Sequence, residues 1–285
     1  MPLYDHLIAE CLDLGPYSSL TSTLITNYHL RDVGVAIKLF YSPIHGFIHK
    51  VLVVAYEAGV WDQLEFVPVY PVKDGYSIAA INPLHKVPTL ALNDGMVLYG
   101  SQAVVEFLDS LSTTGKRLYP AEGPARWDAV RRLALADTLF EVTVVMALER
   151  LEQPPRETVF KWNWVKVVRA VDQMEEDASK GFDTFDIGQA SALHGLSYLD
   201  RQTSRGLYPP VPEGWNWRDG RPALAAWWDA AIQRPSVQSH LNKEYEGEDS
   251  AEYCQSKVAE VLRAQGKEAP AEPKPVPVDF VPPGD

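Results

Sequence analysis

Asn82-Pro83-Leu84-His85-Lys86-Val87-Pro88-Thr89-Leu90 is the stretch on which the fold turns, and Leu98-Tyr99-Gly100-Ser101-Gln102-Ala103-Val104-Val105-Glu106-Phe107-Leu108 follows close behind. Between them Asn93-Asp94-Gly95 separates two short apolar runs, Thr89 to Leu92 and Met96 to Tyr99. An Asp-Gly tip in that setting is a strong hairpin signal. Val87-Pro88 is an X-Pro bond between a turn and a strand. In its cis form the backbone N–H and C=O of Val87 would stand open at the sheet edge, ready to pair with a bound peptide as an added strand does. The plainer alternative is a Pro that merely opens a strand. Ser101 falls where the hairpin gives way to a helix. Its hydroxyl and the free N–H groups of a helix start can hold a carboxylate, and the same Ser can serve as an ordinary N-cap. The order suits a clamp for a small peptide-like anion.

Upstream, Ala36-Ile37-Lys38-Leu39-Phe40 reads as a buried strand ended by Tyr41-Ser42-Pro43. His49 to Ala58 is a helix stopped by Gly59, and Leu64 to Val69 is the next strand. Strand, helix and strand over so short a span make a βαβ unit with a parallel pair. With the hairpin and the helix from Ser101 to Leu111, the order becomes βαβ then ββα, a thioredoxin-like layout. After Gly115 the pattern is wholly helical: Arg126 to Glu149, a segment through Trp162 and Val171 to Gly181, one opened by Asp183-Thr184-Phe185-Asp186, and Pro222 to Ile232. Ser250 to Arg263 is a further candidate helix. The expected organisation is an extension over 1–35, an α/β thioredoxin-like domain over 36–113, a linker over 114–125, an all-α helical domain over 126–245, and an extension over 246–285. The last sixteen residues hold six Pro, so 267–285 reads as a disordered or polyproline-like tail.

The chain has 285 residues with 46% apolar residues, enough for a substantial core. No run approaches the roughly 18–20 apolar residues that span a bilayer. The start, Met1-Pro2-Leu3-Tyr4-Asp5-His6, lacks a basic region followed by an apolar block, so no signal peptide is expected. Cys11 and Cys254 are the only cysteines, which fits a reducing compartment and a cytoplasmic location. A formal charge of −12 repels phosphate backbones and anionic lipids, so neither nucleic acid nor membrane is an expected partner.

Three groups near the first strand could stabilise an anion. Tyr41 ends the strand and can donate its phenol hydrogen to a thiolate; Ser42 is a second hydroxyl; His45 is a third donor. A free thiol has a pKa of about 8.5, and lowering it by two units requires roughly 2.7 kcal/mol of differential stabilisation. One hydroxyl donor plus a helix N-terminus supplies energy of that order. Trp215, Trp217, Trp227 and Trp228 cluster in sequence, either as an apolar substrate wall or, more simply, as core packing.

The segment from Asn82 to Leu90 resembles the cis-Pro segment of glutathione S-transferases, and the likeness runs over about residues 36–242. Ala192-Leu193-His194-Gly195-Leu196-Ser197-Tyr198-Leu199-Asp200-Arg201 and Arg234-Pro235-Ser236 are similar to helical-domain signatures of a bacterial, cytosolic subgroup. The resemblance implies a thioredoxin-like domain, an all-helical domain, a homodimer, and glutathione as cosubstrate in the detoxification of hydrophobic electrophiles. Carried over, Val87 beside Pro88 pairs with the cysteinyl backbone of glutathione, Ser101 holds the γ-glutamyl carboxylate, and His85 and Lys86 meet the glycyl end. Counting back from Gly59, Tyr41 coincides with the Tyr of the tyrosine-type classes, and His45 stands where the serine-type classes have Ser. Gly100 stands where the family has Glu or Asp to meet the γ-glutamyl ammonium, and Gln102 is the side chain available to compensate. These departures leave two expectations open: a transferase that ionises glutathione with Tyr41, Ser42 or His45, or a binding protein of the same fold without turnover.

Overall fold

A computed structural model describes residues 37–42, 46–69, 78–150, 152, 154–182, 184–204, 214–238 and 251–268. Residues 1–36, His45 and the tail beyond 268 lie outside the described residues, and every element below belongs to the unit that runs from Ala36 onward.

Strand β1 (Ile37–Tyr41) is buried at every position, as an apolar run in a central strand should be. Helix α1 (Ile48–Glu57) crosses over to β2 (Leu64–Pro68), which pairs with β1 in parallel, Ile37 opposite Leu64. The hairpin β3 (Thr89–Ala91) and β4 (Val97–Tyr99) completes a mixed sheet of order β2-β1-β3-β4, with β3 antiparallel to both neighbours. Helix α2 (Ser101–Ser110) packs with α1 on one face. Successive strand residues face opposite ways, so Lys38, Phe40, Glu65 and Val67 share the other face. This is the thioredoxin-like mixed sheet that the residue pattern predicts.

The helical part follows: α3 (Gly123–Glu149), α4 (Glu157–Ser179), α5 (Ile187–Ser204), α6 (Pro222–Ala231), the short α7 (Pro235–Gln238) and α8 (Ala251–Ala264). Helix α3 starts three residues before the expected Arg126, because Pro124 suits a first helical turn, where no N–H partner is needed. The segment ending at Asp186 opens α5, but Asp186 stands just before the first helical residue and caps it, its carboxylate accepting from the Gln189 N–H at 3.1 Å, rather than sitting at the third helical position. Gly188 and Gly195 let α5 lie against α3: a Cβ on either would stand 2.8 Å from the Ala129 carbonyl or 3.1 Å from that of Ala136. Helix α1 is buried almost all round, because α2 packs against it on one side and α5 and α7 on others.

Helix α8 has a role the sequence does not announce. Cys254, Val258, Val261 and Leu262 enter one core cluster with Phe40, Val67, Ile78, Val87 and Ala91, so α8 covers the second face of the sheet. Lys38 meets Glu260 at 3.0 Å, and Lys257 meets Glu65 at 2.7 Å. Gly95 at the hairpin tip has φ +87°, and a Cβ there would stand 2.9 Å from the Ala264 backbone. A glycine is required at that tip for both reasons. None of the described helices is long and apolar enough to cross a membrane.

Candidate functional site

Three chain ends meet at one end of the sheet. The pairing of Phe40 with Thr89 carries Tyr41 and Ser42 toward Pro88 and Val87, and that of Thr89 with Tyr99 carries Ser101 to the other side of Val87. The Val87–Pro88 bond is cis, as expected from the sequence.

Asn82 builds the loop that presents Val87. It is fully buried; its Oδ1 accepts from the Leu84 N–H at 2.9 Å, and its Nδ2 donates to the Lys86 carbonyl and to Thr89 Oγ1, both at 2.8 Å. Thr89 Oγ1 in turn donates to the Lys86 carbonyl at 2.8 Å. In a trans peptide the C=O and N–H point opposite ways. Holding the Lys86 carbonyl inward therefore turns the Val87 N–H away from the loop. The side chain of Val87 is buried in the core that α8 completes, and its N–H and C=O make no hydrogen bond among the described residues. His85, at φ +58°, and exposed Lys86 flank it.

Ser101 is the first residue of α2 rather than its cap; Gly100, at φ +87°, stands at the cap position with no side chain to offer. The Ser101 hydroxyl makes no hydrogen bond among the described residues, although the residue is 8% exposed. A helix start with open N–H groups and a spare hydroxyl is an anion site in form. Gln102 is exposed and spends an amide N–H on Asp137 Oδ2 at 3.1 Å.

Of the thiolate-stabilising candidates, Tyr41 is 8% exposed, and its ring stands edge-on to Phe66 of β2 at 5.9 Å, so it leans toward β2 and not simply toward the next helix. Ser42 is 1% exposed, and its Oγ has no hydrogen-bond partner among the described residues. His45 lies outside the described residues.

Behind the site lies a polar network that sequence reading missed. Lys50 of α1, wholly buried, reaches both oxygens of Asp137 on α3 at 2.6 Å; Ser191 of α5 donates to the same carboxylate at 2.6 Å. Burial pulls the Lys50 pKa down from its ordinary value, opposed by the charges of Asp137 and Glu141. Asp137 thus ties α1, α2 and α5 to α3. Beside it the Phe140 ring meets Phe47 edge-on at 4.5 Å, Tyr198 edge-on at 4.6 Å and His194 at a tilt at 4.5 Å, an aromatic wall at the start of α1. The tryptophans form three separate pairs, not one wall: Trp215 with Trp164, Trp217 with Trp228, and Trp227 with Phe182.

A sheet of this order followed by a helical bundle defines the class, a thioredoxin-like domain joined to an all-helical one. The sequence profile "Glutathione S-transferase, N-terminal domain" matches residues 46–111. The chain is 30% identical over 198 residues to "Glutathione S-transferase theta-2" of Mus musculus, covering 66% of this chain and 71% of that protein. It is similar to a crystal structure of a glutathione transferase family member from Pseudomonas fluorescens Pf-5 with bound glutathione, at TM-score 0.63 and 30% identity over 72% of this chain and 98% of that one. A glutathione S-transferase from Methylobacillus flagellatus KT with glutathione bound gives TM-score 0.64 and 27% identity over 72% and 98%. This chain belongs to the glutathione S-transferase family.

Proposed function

We propose that this chain binds glutathione at the sheet end and transfers it to a hydrophobic electrophile. The observation that carries the reading is the unpaired main chain of Val87, turned outward by Asn82 and set by register beside the free hydroxyl of Ser101. Val87 would receive the cysteinyl main chain as an added strand. Ser101 and the start of α2 would hold the γ-glutamyl carboxylate, the Gln102 amide oxygen its ammonium, and His85 and Lys86 the glycyl end. This places the cysteinyl sulfur toward Tyr41 and Ser42. Ser42 is the stronger donor candidate, because its buried Oγ has hydrogen-bonding capacity to spare, while the Tyr41 ring is engaged with Phe66. The thiol proton passes to water, and the thiolate sulfur bonds an electrophilic carbon. In displacement the leaving group departs with its electron pair; on addition to an activated double bond the π pair shifts to the neighbouring carbon, which takes a proton from solvent. The wall of Phe47, Phe140 and Tyr198 would shelter the apolar partner. Ether cleavage and dehalogenation use the same thiolate.

Turnover of 1-chloro-2,4-dinitrobenzene by Tyr41→Phe and Ser42→Ala tests the assignment. Ser42→Ala is expected to lose about 2–3 kcal/mol of transition-state stabilisation, a 30- to 150-fold loss in kcat/KM. Unchanged rates in both variants would remove these hydroxyls from the chemistry.

Gly100 favours a second reading, a binding protein without turnover. The missing carboxylate costs about 1.5–3 kcal/mol of affinity for the γ-glutamyl ammonium. Calorimetry separates the two: glutathione heat without turnover of any electrophile supports the second, and no heat at millimolar glutathione refutes the first.

The homodimer is proposed to form over α3 and α4. Trp162 and Val165 on α4, and Val145 and Leu148 on α3, leave 71%, 49%, 46% and 59% of their surface exposed. Such a patch marks an interaction surface. Light scattering should report a dimer that Trp162→Glu converts to monomer.

A further inference from the structure

Building on the glutathione clamp proposed above, we infer that α8 is its positioning strap: docking of α8 on the sheet and binding of glutathione at Val87 strengthen each other. Helix α8 lies beyond residues 36–242, over which the family likeness runs, and its link to the site is the loop that carries Val87. Asn82 fixes the inner shape of that loop through its hydrogen bonds to Leu84, Lys86 and Thr89. Where the loop sits is fixed at its two ends. Ile81 precedes Asn82, Val87 precedes Pro88, and each is only 6% exposed. Their side chains sink into the core that Cys254, Val258, Val261 and Leu262 of α8 complete, as do those of Val69 and Ile78. Val87 thus presents its main chain while its side chain is anchored against the helix.

Charge and a hairpin contact hold α8 in one register. Lys38 and Glu65 of the sheet alternate with Lys257 and Glu260 of the helix in a closed ring. Lys38 meets Glu260 at 3.0 Å, Glu260 meets Lys257 at 3.0 Å, Lys257 meets Glu65 at 2.7 Å, and Glu65 meets Lys38 at 3.7 Å. A slide of one helical turn sets Lys257 near Lys38, or Glu260 near Glu65 in the other direction, so that like charges meet. Beyond the last turn Gln265 donates to the Gly95 carbonyl at 2.9 Å, which ties the end of α8 to the hairpin tip.

Coupling follows from burial. Releasing α8 returns the side chains of Ile81 and Val87 to water and frees both ends of the loop. Glutathione must then order the loop as it binds, and that ordering subtracts from its affinity. By linkage, the factor that docked α8 adds to glutathione affinity is the factor that bound glutathione adds to α8 docking.

Hydrogen–deuterium exchange of the full chain, with and without saturating glutathione, reads this coupling in the unmodified protein. Amides of α8 should exchange about fivefold slower or more with glutathione bound, the lower end of common coupling factors, while those of α6, which packs on α4, should not change. Val258→Ala should weaken glutathione binding about fivefold by calorimetry. Leu224→Ala, also at a buried position but on α6, should lower the melting temperature to a similar extent without weakening glutathione. The strap is refuted, with the clamp intact, if glutathione binds but leaves α8 exchange unmoved, if Val258→Ala lowers the melting temperature alone, or if Leu224→Ala weakens glutathione as much. No glutathione heat from the unmodified chain refutes the clamp itself, and the strap with it.

Discussion

Replacing Asp137 by Ala strands the most deeply buried cation described in the molecule. Lys50 is wholly buried, and both short contacts of its ammonium, at 2.6 Å, are to Asp137. Its other neighbours are the Phe47 ring at 5.0 Å and the more distant charge of Glu141. Breaking such a pair from one side costs about 3–5 kcal/mol, because the remaining charge stays desolvated. At roughly 2–4 °C per kcal/mol for a chain of this size, the melting temperature should fall by about 6–20 °C. Lys50→Met should cost less, since Ser191 and Gln102 still donate to the carboxylate. The double change Lys50→Met with Asp137→Leu should recover most of the loss, and a double-mutant cycle by urea unfolding measures the coupling. The pH dependence has a definite sign. Burial lowers the folded pKa of Lys50, so between that value and 10.5 the unfolded chain binds more protons, and stability rises with pH. Without Asp137 to oppose the burial, the defect in Asp137→Ala should be largest near neutrality and shrink toward pH 10.5. A loss under about 1 kcal/mol, or a double mutant no better than the sum of its parts, would refute the reasoning.

Three more outcomes are expected. Leu262→Ala should destabilise the sheet by about 2–5 kcal/mol in urea unfolding, and Gly95→Ala by at least the roughly 1–2 kcal/mol of a left-handed backbone, because α8 and the hairpin tip meet there. Gly100→Glu meets no neighbouring atom but inherits φ +87°; it should tighten glutathione tenfold or more by calorimetry while lowering stability by about 1–2 kcal/mol. Arg156 grips Glu149 with two side-chain nitrogens and a backbone N–H, holding that carboxyl down at about 2. The stabilisation is present above pH 4.5 and is lost as pH falls toward 2, so Arg156→Gln should flatten the acid limb of the unfolding curve.

The hairpin, the Val87–Pro88 loop and the start of α2 were legible in the sequence because each is written locally. An Asp-Gly tip, an X-Pro step after Asn82-Pro83, and an apolar period beginning at Ser101 need no knowledge of distant residues. Even there, the rank of Ser101 as first helical residue depended on Gly100 taking the left-handed conformation. The tryptophans, close in sequence, part because helical spacing sends neighbours to different faces, Trp227 toward Phe182 and Trp228 toward Trp217.

Sequence alone determined the sheet, its clamp loop and the helical run that follows, because periodicity, turn residues and caps act over a few residues. Only the tertiary structure decided that Lys50 finds Asp137 across 87 positions and that α8 closes the far face of the sheet. Those pairings depend on which surfaces remain to be buried once the elements exist, and burial is settled by the whole chain at once.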